Sequence, residues 1–150
     1  LGYKYNMDNI PGALGVEQLK KLESFIEKRR KLASLYTGLL KGVPGIIVPL
    51  EKEYTRHSYH LYPILLDIEN INMTRAEFID KLKEYKIGAS VHFIPLHLHP
   101  YYQKTYDYKK GDFPTAEYLF DREVSLPLYP RLSEEDVRYV VQSIKEILSK

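Results

Sequence analysis

The chain of 150 residues contains no cysteine and no tryptophan. Without cysteine there is no disulfide framework, no thiolate nucleophile and no cysteine zinc site, a usage that suits a reducing cytoplasm. Charge gives little direction either: the formal net charge is +2 and 28% of residues are charged, which is neither a nucleic-acid footprint nor an acidic tail. No apolar run approaches the roughly 20 residues that a membrane helix needs, and no signal peptide opens the chain. The expectation is a soluble, cytoplasmic protein with no nucleic-acid and no membrane partner. Catalytic signatures are also lacking. There is no Gly-x-Ser-x-Gly nucleophile elbow and no glycine-rich phosphate loop of the Rossmann or Walker kind.

What is present suffices for one ordinary domain with a real core, since 44% of the residues are hydrophobic. Fourteen tyrosines suit half-buried surfaces with one wet edge. The chain opens at Leu1 rather than methionine, inside sequence that already reads as ordered, so the expectation is the later part of a longer protein.

Residues 1–15 read as an irregular aromatic loop entering a helix. From Leu14 the apolar residues Leu19, Leu22, Phe25, Ile26, Leu32, Leu35, Tyr36, Leu39 and Leu40 step by three and four, the spacing of an amphipathic helix. Its length of about 27 residues, roughly 40 Å, is long for a compact domain and suits a helix that joins two bodies. Gly42, Pro44 and Gly45 stop it. Short strands are predicted at 46–49 and 59–67, with Pro63 suggesting an edge or a bulge. Thr74 and Glu77 form a capping box for a helix that buries Phe78, Ile79 and Leu82. A third strand is predicted at 89–94 and a tyrosine- and lysine-rich loop with room for a helical turn at 101–112. A helix with Pro114 in its first turn covers 113–124, followed by an edge segment at 126–130. Ser133 caps a last helix whose stripe is Val137, Val140, Val141, Ile144, Ile147 and Leu148. The fold class is α+β, a small three- to four-stranded sheet covered by helices and preceded by a long connecting helix. Residues 1–45 form a loop and connecting helix, and residues 46–150 the small domain.

Chemistry-bearing residues concentrate at 91–103, which reads VHFIPLHLHPYYQ. An apolar stretch with a few polar handles has the composition of a pocket wall. His92, His97 and His99 raise a metal site, but Pro95 and Pro100 break the regular spacing and no carboxylate completes a tetrahedron, so no metal ligand is assigned. His57 and His60 do not share a strand face. Lys4 and Asn6 place an ammonium and an amide two apart ahead of a helix, where both could reach one anion; a solvated lysine beside a turn asparagine is the alternative.

Four blocks in this sequence, GYKYNM with the Ala-Leu-Gly-x-x-Gln-Leu helix start, HSYHLYPILL, IGASVHFIPLHLHPYYQ and SLPLYP, resemble the C-terminal portion of the DegT/DnrJ/StrS nucleotide-sugar aminotransferases. They occur in the family's order over nearly the whole chain. GYKYNM is similar to the branch containing UDP-4-amino-4-deoxy-L-arabinose aminotransferase, although relatives more often carry Asn-x-Arg where this chain has Lys4-x-Asn6.

The resemblance implies the small domain of a fold type I enzyme dependent on pyridoxal 5'-phosphate, and a parent protein that transfers an amino group, from glutamate, to a nucleoside-diphosphate keto-sugar. The Schiff-base lysine and the aspartate beside the pyridinium nitrogen fall upstream of Leu1, so this chain carries no catalytic residue of its own, and the isolated chain is expected to be inactive and free of cofactor. By the same resemblance Lys4 and Asn6 cross a homodimer interface, made with the long helix, to the cofactor phosphate or substrate of the other subunit. His92, Phe93, Tyr101 and Tyr102 would line the sugar-nucleotide side of the cleft, or pack the domain interface. The alternative to an enzyme is a stand-alone, non-catalytic nucleotide-sugar binding or regulatory module with the same fold.

Overall fold

The computed structural model describes residues 3–149. Leu1, Gly2 and Lys150 lie outside them, so the start of the GYKYNM block is not described. The elements run α1 (Asn9–Leu40), β1 (Ile46–Ile47), β2 (Tyr62–Leu66), α2 (Arg75–Glu84), α3 (Pro100–Tyr106), α4 (Pro114–Arg122), β3 (Glu123–Leu126) and α5 (Glu134–Leu148), with one turn of 3-10 helix at Leu96–Leu98. The α+β class with three strands agrees with the sequence reading.

The three strands form one antiparallel sheet in the order β1-β2-β3. Partners across an antiparallel ladder share a face, so the register divides the sheet cleanly. One face carries Ile46, Tyr62, Ile64, Leu66, Val124 and Leu126, all buried. These pack against Leu32, Ala33, Tyr36 and Leu40 of α1, Phe78 and Leu82 of α2, and the Val137–Ile147 stripe of α5. Tyr36 stacks on Tyr62 with ring centroids 4.9 Å apart, and its hydroxyl donates to the Pro127 carbonyl at 3.1 Å. Burial pushes the Tyr62 phenol up to about 12. The opposite face carries Ile47, Pro63, Leu65, Glu123 and Ser125.

Several sequence expectations hold at residue level. The capping box Thr74–Glu77 is closed and Ser133 caps α5 as expected, with Asp136 completing a second box that the sequence reading did not name; in each the hydroxyl accepts from the third backbone N–H and the carboxylate from the cap N–H. Helix α1 stops at Leu40, and Gly42 and Gly45 take φ of +83° and +82°, values that glycine adopts without steric cost.

Others need correction. Helix α1 begins at Asn9 rather than beyond Gly12 and runs for 32 residues; Pro11 is accommodated because N–H groups in a first turn have no intrahelical acceptor. Pro63 lies in the middle strand, not on an edge. It pairs with Ser125, whose backbone bonds point instead to Ser90, and β1 has ended before the register reaches it, so its missing N–H removes no rung. Residues 89–94 form no strand: only Ser90 pairs, through an isolated bridge to Ser125. The short edge strand lies earlier than expected: β3 begins inside the predicted helix 113–124 and ends at Leu126, where the edge segment was expected to begin. Pro100 does not break structure but sits at the first position of α3.

Candidate functional site

The second face of the sheet is the floor of a cleft of about 540 Å³. Ile47, Val48, Pro49 and Leu50 form one wall, Pro63 and Leu65 the floor, and Ala116, Leu119 and Phe120 of α4 the other wall, while His92, Phe93, Pro95 and Glu123 complete the lining. Helix α4 is fixed over the sheet by Arg75 of α2, which donates to the Phe120 carbonyl and lies 4.6 Å above the Phe120 ring. The walls are almost wholly apolar. Phe93 is 75% exposed and Leu50 79%, so they offer two large apolar side chains without protein neighbours to cover them. The His92–Phe93 peptide is cis.

The polar part of the cleft is built by register. Ser125 donates its N–H to Ser90 O at 2.8 Å and accepts from Ser90 N–H at 3.3 Å. Two residues farther along each segment, that register sets His92 against Glu123. Here the ladder gives way, because the His92 N–H donates at 2.8 Å to the side-chain Oε2 of Glu123 rather than to a backbone carbonyl. Ser125 Oγ donates to Glu123 Oε1 at 2.5 Å and lies 2.9 Å from His92 Nδ1. The imidazole meets the Phe93 ring edge-on, with centroids 4.7 Å apart. An imidazole tied to a buried carboxylate through a hydroxyl is a firmly held hydrogen-bonding group beside an exposed aromatic face. A sugar hydroxyl and an apolar or planar ring suit such a pair.

Of the residues predicted to line a cleft, His92 and Phe93 are therefore on it. Tyr101 and Tyr102 lie on α3, away from this lining, with their rings edge to face at 5.4 Å. They begin a chain of ring contacts through Tyr106, Tyr108 and Phe113 to His97. His97 is buried and bonds Glu117 Oε1 at 2.8 Å. The same oxygen accepts the Gly111 N–H at 2.7 Å, and this bond, then that of His97, holds the Glu117 carboxyl below its usual range. His99 Nε2 reaches the Ile94 carbonyl at 3.3 Å. Among the described residues no group of three metal-ligating side chains converges. Glu123 and Ser125 were not singled out by sequence reasoning. The signal that could have found them is two polar residues alternating with Val124 and Leu126, a strand with one polar face.

Lys4 and Asn6 lie in the exposed, irregular segment before α1. Their side chains make no hydrogen bond or ion pair among the described residues, and the first turn of α1 contains no acidic residue. An ammonium and an amide within a few residues of a helix start are donors that suit an anion such as a phosphate. The cleft does not: its charged lining residue is a carboxylate. The groups of this chain that could donate to a phosphate-bearing cofactor are thus Lys4 and Asn6, and the cleft lining offers it no cation.

Comparison with known proteins agrees with this architecture. Residues 1–145 match the model of the DegT/DnrJ/EryC1/StrS aminotransferase family. The chain is 45% identical over 148 residues to the spore coat polysaccharide biosynthesis protein SpsC of Bacillus subtilis, covering 98% of this chain and 38% of that protein. It is 37% identical over 152 residues to the UDP-4-amino-4-deoxy-L-arabinose–oxoglutarate aminotransferase of Shewanella sediminis, covering 98% and 39%. Among solved structures it superposes on Helicobacter pylori PseC, an aminotransferase of pseudoaminic acid biosynthesis, with a TM-score of 0.87 at 28% identity, covering 99% of this chain and 39% of that one. The chain spans about two fifths of the length of the curated relatives it matches. By the extent of that match, the chain belongs to the DegT/DnrJ/EryC1/StrS aminotransferase family.

Proposed function

We propose that the parent protein is a pyridoxal-phosphate-dependent aminotransferase that moves an amino group, from glutamate, onto a keto-sugar carried by a nucleoside diphosphate. The observation that carries this reading is the family match over residues 1–145; the apolar cleft with one held imidazole supports the sugar-nucleotide part. Residues 1–45 serve as interface loop and connecting helix, and residues 46–150 as the small domain that closes one side of the active site. The lysine that holds the cofactor and the aspartate at its ring nitrogen are assigned to sequence ahead of Leu1.

Pyridoxal phosphate, when bound, supplies the electron sink that lets an amino group leave one carbon skeleton and join another. This chain's residues bind and orient. Lys4 and Asn6 donate to a phosphate, of cofactor or substrate, across a homodimer interface. His92 and Phe93 hold the sugar-nucleotide, the imidazole by a hydroxyl and the phenyl ring by its face, while Tyr101 and Tyr102, off that lining on α3, pack the domain interface. Leu119 and Phe120 keep water from the apolar side of the ligand. The exposure of Ile10, Leu14, Leu19 and Leu22 along the first half of α1 supports an interface there, since such a stripe gains by being covered.

The test is the half-reaction of the intact protein. Glutamate should bleach the visible absorbance of bound cofactor, and a nucleoside-diphosphate keto-sugar should restore it. A spectrum that glutamate leaves unchanged would overturn the proposal. Residues 1–150 alone should show neither the absorbance nor the activity.

A further inference from the structure

His92 lines the cleft, and the hydrogen bonds around it leave one way to place its ring proton. The Glu123 carboxylate has only acceptors to offer. Oε2 takes the His92 backbone N–H at 2.8 Å and Oε1 takes the Ser125 hydroxyl proton at 2.5 Å. Ser125 has then spent its one proton, so toward His92 Nδ1, 2.9 Å away, its oxygen can only accept. The ring proton therefore sits on Nδ1, and in the neutral imidazole Nε2 carries a lone pair. The neighbour of Nε2 is the Ser90 hydroxyl at 3.5 Å, the outer limit of a hydrogen bond, so that lone pair is still available to a better-placed donor. The arrangement is protected from water where it matters: Ser125 is 3% and Glu123 7% exposed.

We infer that Glu123 and Ser125 are positioning residues that lock His92 as the Nδ1–H tautomer and present its Nε2 as an acceptor, so that the cleft favours a ligand whose apolar face lies on Phe93 and whose hydroxyl donates to His92. The identity of that ligand as a sugar-nucleotide rests on the function proposed above; the tautomer does not. The device is polar in direction. Every proton in it points toward the carboxylate, from the His92 amide directly and from Nδ1 by way of Ser125. Neutralising the carboxylate as an amide must reverse part of it. In Glu123→Gln the amide oxygen can accept the His92 N–H, but its NH2 must donate to Ser125, whose own proton then turns to Nδ1 and forces the ring proton onto Nε2.

Nitrogen-15 NMR of the histidine-labelled protein, at a pH where the ring is neutral and with His92 assigned by a His92→Asn control, reads this directly. The expected result is a protonated Nδ1 and a bare Nε2 in the wild type, an inverted pattern in Glu123→Gln, a mixture in Ser125→Ala, and the wild-type pattern in Ser125→Thr, which keeps the hydroxyl. Thermal melts of each variant confirm folding. In the intact protein, Glu123→Gln turns Nε2 from acceptor to donor, so the ligand hydroxyl must reverse its own proton to keep the bond; KM for the sugar-nucleotide should rise, by up to about tenfold, with the change falling on that substrate rather than on glutamate. A wild-type His92 with its proton on Nε2, or a tautomer unmoved by Glu123→Gln, overturns the inference. A locked ring that inverts in Glu123→Gln supports it even in a protein without aminotransferase activity, an outcome that would remove the functional reading alone.

Discussion

Arg30 of α1 and Glu51 meet fork to fork, with Nη1 2.6 Å from Oε1 and Nη2 3.2 Å from Oε2. The pair ties the long helix to the segment that carries the Pro49–Leu50 wall of the cleft. Arg30 also donates to the His57 carbonyl, and the His57 N–H donates to Glu51, both at 2.7 Å. The Arg30 guanidinium, then the His57 N–H, hold the Glu51 carboxyl down from 4.5 to about 2, against the opposing effect of burial.

A lowered carboxylate stabilises the fold above its unfolded value and loses that contribution as pH falls through its folded value. Stability of the wild type should therefore decline between pH 4.5 and about 2 with a component that Glu51→Gln lacks. Urea midpoints across that window check it. Parallel acid limbs in the two proteins would contradict it.

Gly45 and Gly38 make an opposed pair. Gly45 has φ +82°, and a Cβ there would lie 2.2 Å from Ile71 Cγ2, while Gly38, inside α1, has open space. Gly45→Ala should cost about 1–3 kcal/mol through strain and displacement of Ile71. Gly38→Ala should stabilise by about 0.5–1 kcal/mol, the helix-propensity difference. Denaturant midpoints measure both.

Glu117 holds the 107–113 turn by gathering His97 and the Gly111 N–H onto one oxygen. Glu117→Ala should release that turn, and the Gly111 amide should exchange about tenfold faster while amides of α5 keep their protection. Equal acceleration in both places would mean global destabilisation instead.

Local rules made the core face of this fold legible and left the cleft face half hidden. Tyr62, Ile64 and Leu66 alternate with less buried neighbours, and two capping boxes mark helix starts by side chains three residues apart. These signals are written within a few positions of the chain. Residues 89–94 are different: their alternation predicts a strand, but the second rung is taken by the carboxylate of Glu123, 31 residues away. No local pattern encodes that exchange. For the same reason His92 and Phe93 were visible as an unusual polar-aromatic pair, while Glu123 read as the end of a helix and Ser125 fell between that helix and the edge segment. The helix ends at Arg122 with no glycine or proline to announce it. Pro100 shows the ambiguity of proline, which stops a helix behind it and starts one ahead.

Lys4 projects from an exposed segment with Asn6 beside it. In the intact protein Lys4→Ala should weaken binding of pyridoxal phosphate or of the sugar-nucleotide by about 1–3 kcal/mol, the range of a charge-assisted hydrogen bond. Cofactor and substrate titrations of the variant measure it, and unchanged affinity for both would remove Lys4 from the site.

The most direct measurement follows the nitrogen atom. The intact protein is supplied with 15N-glutamate and a nucleoside-diphosphate keto-sugar, and the products are analysed by mass spectrometry and NMR. The account predicts 2-oxoglutarate and a sugar-nucleotide bearing 15N on the former keto carbon; label that stays wholly in glutamate would contradict it.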